Sequence, residues 1–165
     1  MGVYARLISK SARLAGNGGG LLAAACTELV VNNSKFESNI AASAGSGISG
    51  HYIEVGTIAN SRFSNNEANN ASGLLFTTEN TFDPQYLPPW IDPLYRPADV
   101  MDVAGRGTFN IKNSVFSGNV AHLCGGGIFL LSKANASISQ TLFQNNAAEY
   151  GAGLFTSQTA QVMLT

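Results

Sequence analysis

The chain has 165 residues, enough for one domain, with 45% apolar residues, 12% charged residues and a net charge of −1. That balance gives no electrostatic reason to expect nucleic acid or an anionic membrane as partner. Asn, Ser, Thr and Gly supply the polarity instead, which suits an extracellular or cell-surface protein.

Residues 1–16 form the first unit, a basic segment that carries Arg6, Lys10 and Arg13 with no acid. Its apolar positions Val3, Leu7, Ile8 and Leu14 are compatible with a short amphipathic helix acting as a cap, with a linker or with a weak targeting segment. It lacks the apolar run of a signal peptide, and no stretch of the chain is long enough to span a membrane as a helix.

Residues 17–165 are a repeat domain. Four segments share the pattern I/V, then N/Q-S/T, then F-x-x-N-x-A: they centre on Phe36 with Asn39, Phe63 with Asn66, Phe116 with Asn119 and Phe143 with Asn146. Each is followed, ten or eleven residues after its Phe, by Gly47-Ile48, Gly73-Leu74, Gly127-Ile128 or Gly153-Leu154. An earlier half-unit, Gly18 to Leu21, precedes Phe36, and the spacing sets a repeat of about 27 residues. The segments are short, alternate apolar with polar residues, and are punctuated by Gly, Asn and Ser, which marks strands rather than helices. The expected fold is all-β: a right-handed parallel β-helix, or solenoid, of about five coils.

Stacking predicts the roles of the recurring residues. Phe36, Phe63, Phe116 and Phe143 form an internal aromatic column, and Asn39, Asn66, Asn119 and Asn146 form an amide ladder where the chain turns. Ala41, Ala68, Ala121 and Ala148 let the coil pinch inward, and the glycines before Ile or Leu meet a crowded or positive-φ corner. The repeat stops within a coil, so further repeats of the same chain are expected at either end.

The interruption falls between Gly73 and Phe116, and a loop extruded over 77–104 is the reading that fits it. In the register of a degenerate coil, Trp90 replaces the Phe and Pro88 and Pro89 fall inside a strand, where they cannot donate to the ladder. All five prolines, all four aspartates and the only Trp lie there. Tyr86, Trp90 and Tyr95 are candidates to stack on sugar or peptide, with Asp92 and Arg96 as polar contacts. The structural alternative is a satellite core of Leu87, Trp90 and Leu94 that pins the loop.

Other chemistry is sparse. Gly45-Ser-Gly-Ile-Ser-Gly50 matches a dinucleotide fingerprint by letter, but His51 to Val55 reads as strand and the required helix N-terminus is missing. No catalytic residue, metal ligand set or cofactor site is expected. His51, His122, Cys26 and Cys124 read as satisfied, solvent-facing or small core residues, with no disulfide. Asn32, Asn70 and Asn135 head glycosylation sequons.

The pairing of Phe116-Ser-Gly-Asn119 with Gly125-Gly-Gly-Ile128, and of Phe143-Gln-Asn-Asn146 with Gly151-Ala-Gly-Leu154, resembles the repeats of chlamydial polymorphic membrane proteins. It also looks like the wider set of pectin-lyase-like β-helices. That resemblance implies a secreted or surface-displayed, non-catalytic, adhesin-like scaffold whose partner is a host-cell or cell-surface protein or a glycan. The alternative it implies is part of a polysaccharide lyase or hydrolase whose site lies largely outside this chain. Such enzymes need clustered carboxylates, whereas the regular coils hold no Asp and a dispersed set of Glu28, Glu37, Glu54, Glu67 and Glu149.

Overall fold

A computed structural model of the chain describes residues 2–5, 8–10, 13–14, 18–77, 107–131, 135–156 and 161–165. Its strands follow the repeat. An opening rung holds β1 (Gly2–Ala5), β2 (Ile8–Lys10) and β3 (Arg13–Leu14). The next two coils are β4 (Leu21–Asn32), β5 (Lys35–Glu37) and β6 (Ile40–Ala44), then β7 (Ile48–Ala59), β8 (Arg62–Ser64) and β9 (Glu67–Asn70). The interrupted coil holds β10 (Leu74–Thr77), β11 (Thr108–Lys112), β12 (Val115–Ser117) and β13 (Val120–Cys124). After it come β14 (Ile128–Leu131), β15 (Asn135–Ser139) and β16 (Leu142–Gln144), and finally β17 (Leu154–Thr156) and β18 (Gln161–Leu164).

These strands stack into sheets of nine, five and four strands, and every pairing is parallel. No helix occurs among the described residues. The fold is a parallel β-solenoid of roughly four turns rather than five, because the first and last rungs are incomplete. Where the amphipathic pattern of the first residues allowed a helix among other readings, the described residues are strands: β1, β2 and β3 pair with Glu28–Val31, Lys35–Glu37 and Ile40–Ala41. Pairing with an existing sheet edge overrides a weak local helical pattern.

The core is the column structure read from the repeat. Phe36, Phe63 and Phe116 are fully buried, and the four rings stack with centroids 4.9, 4.6 and 5.3 Å apart. The amide ladder has a direction. Asn39, Asn66 and Asn119 each donate from the side-chain nitrogen to the next Asn oxygen, at 3.0, 2.9 and 2.9 Å, and also from the backbone N–H to that same oxygen. The second amide hydrogen of Asn66, Asn119 and Asn146 goes back to the carbonyls of Phe36, Phe63 and Phe116. Polar groups are buried here because each has its partners.

The tight turns lie one residue earlier than the Asn column: Ser38, Asn65, Gly118 and Asn145 take positive φ, as do Asn33, Asn60, Asn113 and Gln140 at the preceding corner. After that corner, the Ser34, Ser61, Ser114 and Thr141 hydroxyls donate to the carbonyl two residues back. They thereby cap each corner inside the stack. The glycines before Ile or Leu are crowded rather than left-handed. A Cβ on Gly47, Gly73 or Gly127 would run into the carbonyl of the matching glycine in the next coil, whereas positive φ falls two residues earlier, at Gly45, Ala71, Gly125 and Gly151.

Candidate functional site at the root of the interruption

The strand that runs unbroken as Ile48–Ala59 is split in the following coil into β10 and β11. Thr77 pairs with His51 and Thr108 pairs with Val55, so 30 residues leave and return where the neighbouring strand has three. The rest of the coil takes no notice. Phe63 stacks directly on Phe116, with planes 2° apart, so no additional coil sits between them. Thr77, the expected first residue of the loop, is itself a buried strand residue.

The root is clamped from inside. Phe76, at the end of β10, and Phe109, at the start of β11, stack with centroids 4.3 Å apart, both fully buried. The room for them comes from the strand beneath: a Cβ on Gly50 would lie 2.6 Å from the Phe76 ring, and one on Gly56 would lie 2.7 Å from the Phe109 ring. A small residue under a large one on the next rung keeps the interior filled without a bulge.

The outer face beside the root has its own composition. Alternation directs Ser49, Leu75 and Phe129 away from the interior, yet they are only 0%, 3% and 8% exposed, while Leu22 in the same column is 43% exposed. Leu75, Phe129 and Ala71 form a second apolar cluster, with Ala44, Cys124, Leu131 and Phe155 against it. In the adjoining column lies His51, whose Nε2 is 2.7 Å from Ser49 Oγ. Burial lowers the His51 pKa to about 4, so the imidazole is neutral at neutral pH. Next to it Tyr52 takes φ +52, rare for a bulky residue, and its phenol oxygen is buried without a hydrogen-bond partner. Burial also raises the Tyr52 pKa. The root therefore holds buried, uncharged polar groups beside an apolar patch.

The sequence-predicted residues divide into two sets. Phe36, Phe63, Phe116 and Phe143 come together in one column, and Asn39, Asn66, Asn119 and Asn146 in another. Tyr86, Trp90, Asp92, Tyr95 and Arg96 lie outside the described residues. Cys26 and Cys124 are free. His122 is exposed and sits 3.2 Å from Glu67 on the outer side of the four-stranded sheet. Among the described residues no three His, Cys, Asp or Glu side chains converge on a point that would hold a metal ion. No helix long and apolar enough to cross a membrane occurs among them. Sequence reading missed the Phe76–Phe109 clamp. Its signals were Gly50 and Gly56 inside an otherwise continuous strand pattern, with a Phe on each side of the interruption.

Against these features stand the comparisons with known proteins: no family model, curated protein or solved structure matches the chain.

Proposed function

We propose that the protein is a presentation scaffold, an extracellular or cell-surface, adhesin-like solenoid related to the repeats of polymorphic membrane proteins and pectin-lyase-like β-helices. The observation that carries this reading is the pinned interruption. Both of its roots are fixed by parallel pairing to one strand and by the Phe76–Phe109 clamp, while the Phe63–Phe116 contact passes behind it undisturbed. A rigid frame that carries a long insert sideways suits recognition, since the frame takes the entropic cost of positioning once, during folding. In this reading Tyr86, Trp90 and Tyr95 stack on a sugar or peptide of a cell-surface partner, and Asp92 and Arg96 orient it. The uncharged outer columns, such as Thr57, Asn110 and Ser137 in register, support contact with a neutral surface.

The test is to replace residues 80–99 by a short linker and to measure far-UV circular dichroism, unfolding and adhesion to cells and a glycan array. The β spectrum and unfolding midpoint are expected to stay, and adhesion to be lost. Adhesion that survives the truncation refutes the loop as the site. Incubation with pectin, alginate and chitin separates the other class: binding without cleavage is expected, and depolymerisation would make the chain an enzyme.

A further inference from the structure

The net charge of −1 hides a local imbalance. At physiological ionic strength a ligand feels charges within roughly 8 Å, so the placing of the cations matters more than their sum. Lys35 and Arg62 are exposed and stand directly in register on adjacent rungs of the five-stranded sheet. Theirs is the only register pair of two like charges among the described residues. Rungs lie roughly 4.8 Å apart, and like charges directly opposite one another on a sheet are destabilising. Glu37, the only carboxylate in that sheet, is half-buried and has Lys10 in register with it. Neither the Lys35 nor the Arg62 side chain makes an ion pair or a hydrogen bond among the described residues.

The corner beside this pair adds further groups. Asn60 donates from its side-chain nitrogen to Asn32 Oδ1 at 2.9 Å, and both side chains are exposed. Asn32 Nδ2, a donor, and Asn60 Oδ1, an acceptor, have no partner among the described residues. In the next coil the carbonyl of Lys112 accepts from the Asn60 N–H at 3.1 Å, which sets a third exposed cation against the same corner.

We propose that this corner is a binding ledge for a sulfated glycan chain. A sulfate ester has three terminal oxygens, enough to take a two-pronged contact from the Arg62 guanidinium and a third hydrogen bond from the Lys35 ammonium. A carboxylate, with two oxygens, satisfies only one of the two cations in full. The oxyanion between them removes the repulsion that the unliganded ledge carries. Lys112 meets a second sulfate along the polymer, and the free donor and acceptor of Asn32 and Asn60 meet sugar hydroxyls. A polymer with anions on successive sugars suits a stack that offers successive cations along its axis. Single-stranded nucleic acid binds through exposed aromatic platforms, whereas Phe36 and Phe63, the rings that follow Lys35 and Arg62 in sequence, are fully buried.

The probe is a fluorescein-labelled heparin oligosaccharide titrated with the full chain and read by anisotropy at physiological and at high salt. Saturable binding that weakens with salt is expected. Arg62→Gln should weaken it at least about tenfold, through the loss of a charge-assisted contact, and Lys35→Gln with Arg62→Gln should abolish it. Both variants should keep the wild-type circular dichroism and an unfolding midpoint no lower than wild type, because the repulsion leaves with the charge. Ser43→Glu makes the same change in net charge as Arg62→Gln, from an exposed position on the four-stranded sheet, and should leave binding intact. Replacing residues 80–99 by a linker should also leave it intact, which keeps this test separate from that of the insert. No binding by the wild-type chain, equal binding by the double variant, or an equal loss from Ser43→Glu overturns the inference. Loss of binding with the insert moves the site there and overturns the ledge. Tighter capture of polygalacturonate or of a single-stranded DNA than of the sulfated chain overturns the choice of ligand.

Discussion

Phe116→Ala puts the column to a quantitative test. The ring is fully buried between Phe63 at 4.6 Å and Phe143 at 5.3 Å. Truncating a buried Phe costs about 3–5 kcal/mol, and the two ring pairs, at about 0.5–1.5 kcal/mol each, are part of that loss. The rungs on either side are held by backbone hydrogen bonds such as Val115 to Ser61 and Leu142 to Ser114. They cannot close the cavity, so the cost belongs in the upper half, about 4–5 kcal/mol. Phe143 has one ring neighbour and is only partly buried, so Phe143→Ala should cost about 1–2 kcal/mol. The measurement is urea denaturation of both variants by circular dichroism, with the slope checked for constancy, since stacked coils can lose cooperativity. Equal costs at the two positions, or less than about 1 kcal/mol at Phe116, would refute the packing argument.

Asn119→Ala removes the acceptor of two Asn66 hydrogen bonds and leaves the buried Asn66 backbone N–H without its partner, so a loss of about 2–3 kcal/mol is expected in the same assay. Asn119→Asp should be worse, because the carboxylate cannot donate to the Phe63 carbonyl or to Asn146. Gly127→Ala should cost about 2 kcal/mol through overpacking against the next coil, read in the same assay. His51 carries a pH signature. Its folded pKa of about 4 lies below the unfolded value of 6.5, so its neutral form favours the folded state above pH 6.5, and that stability is lost as pH falls from 6.5 through 4. The full loss is on the order of 3 kcal/mol, and His51→Gln should flatten this window in a series of denaturation midpoints against pH.

The legibility of the fold in the sequence follows from how the contacts are built. A residue that stacks on its own counterpart one repeat away must recur at the repeat period, so the Phe, Asn, Ser and Gly columns were readable with their register and even their burial. Phe36-Glu37-Ser38-Asn39 and its equivalents show the limit of that reading. The pattern marks a corner, but which residue takes positive φ depends on how the chain leaves the strand, and the structure puts it one before the amide ladder rather than on it. Contacts made once escape periodicity altogether. Phe76 against Phe109 joins two strands separated by the interruption, and nothing in a 27-residue average weights it. The same holds for Ser49 with His51 and for the buried Tyr52 phenol, where a local deviation from the repeat replaces the repeat as the signal. The first strands were not legible for a related reason: Gly2–Ala5 lacks the Phe and Asn marks, and its strand pairs with the sheet edge at Glu28–Val31.

The position of the interruption is itself a consequence of these contacts. An insert within the Phe, Asn or glycine columns would break a ladder that runs through every coil, because each group there both gives and receives a contact. Between Thr77 and Thr108 the neighbouring strand presents Tyr52 in the left-handed region, so the ladder between the two halves is already locally irregular. In β4 too, pairing with β7 skips the residue between Ala24 and Cys26 and again between Cys26 and Glu28. A long segment can leave here while costing few inter-coil hydrogen bonds, and the Phe76–Phe109 pair closes the interior behind it. Loop-closure entropy grows only slowly with length, so once the clamp has fixed the two ends, the size and composition of the insert are free to follow what it binds rather than what the solenoid needs.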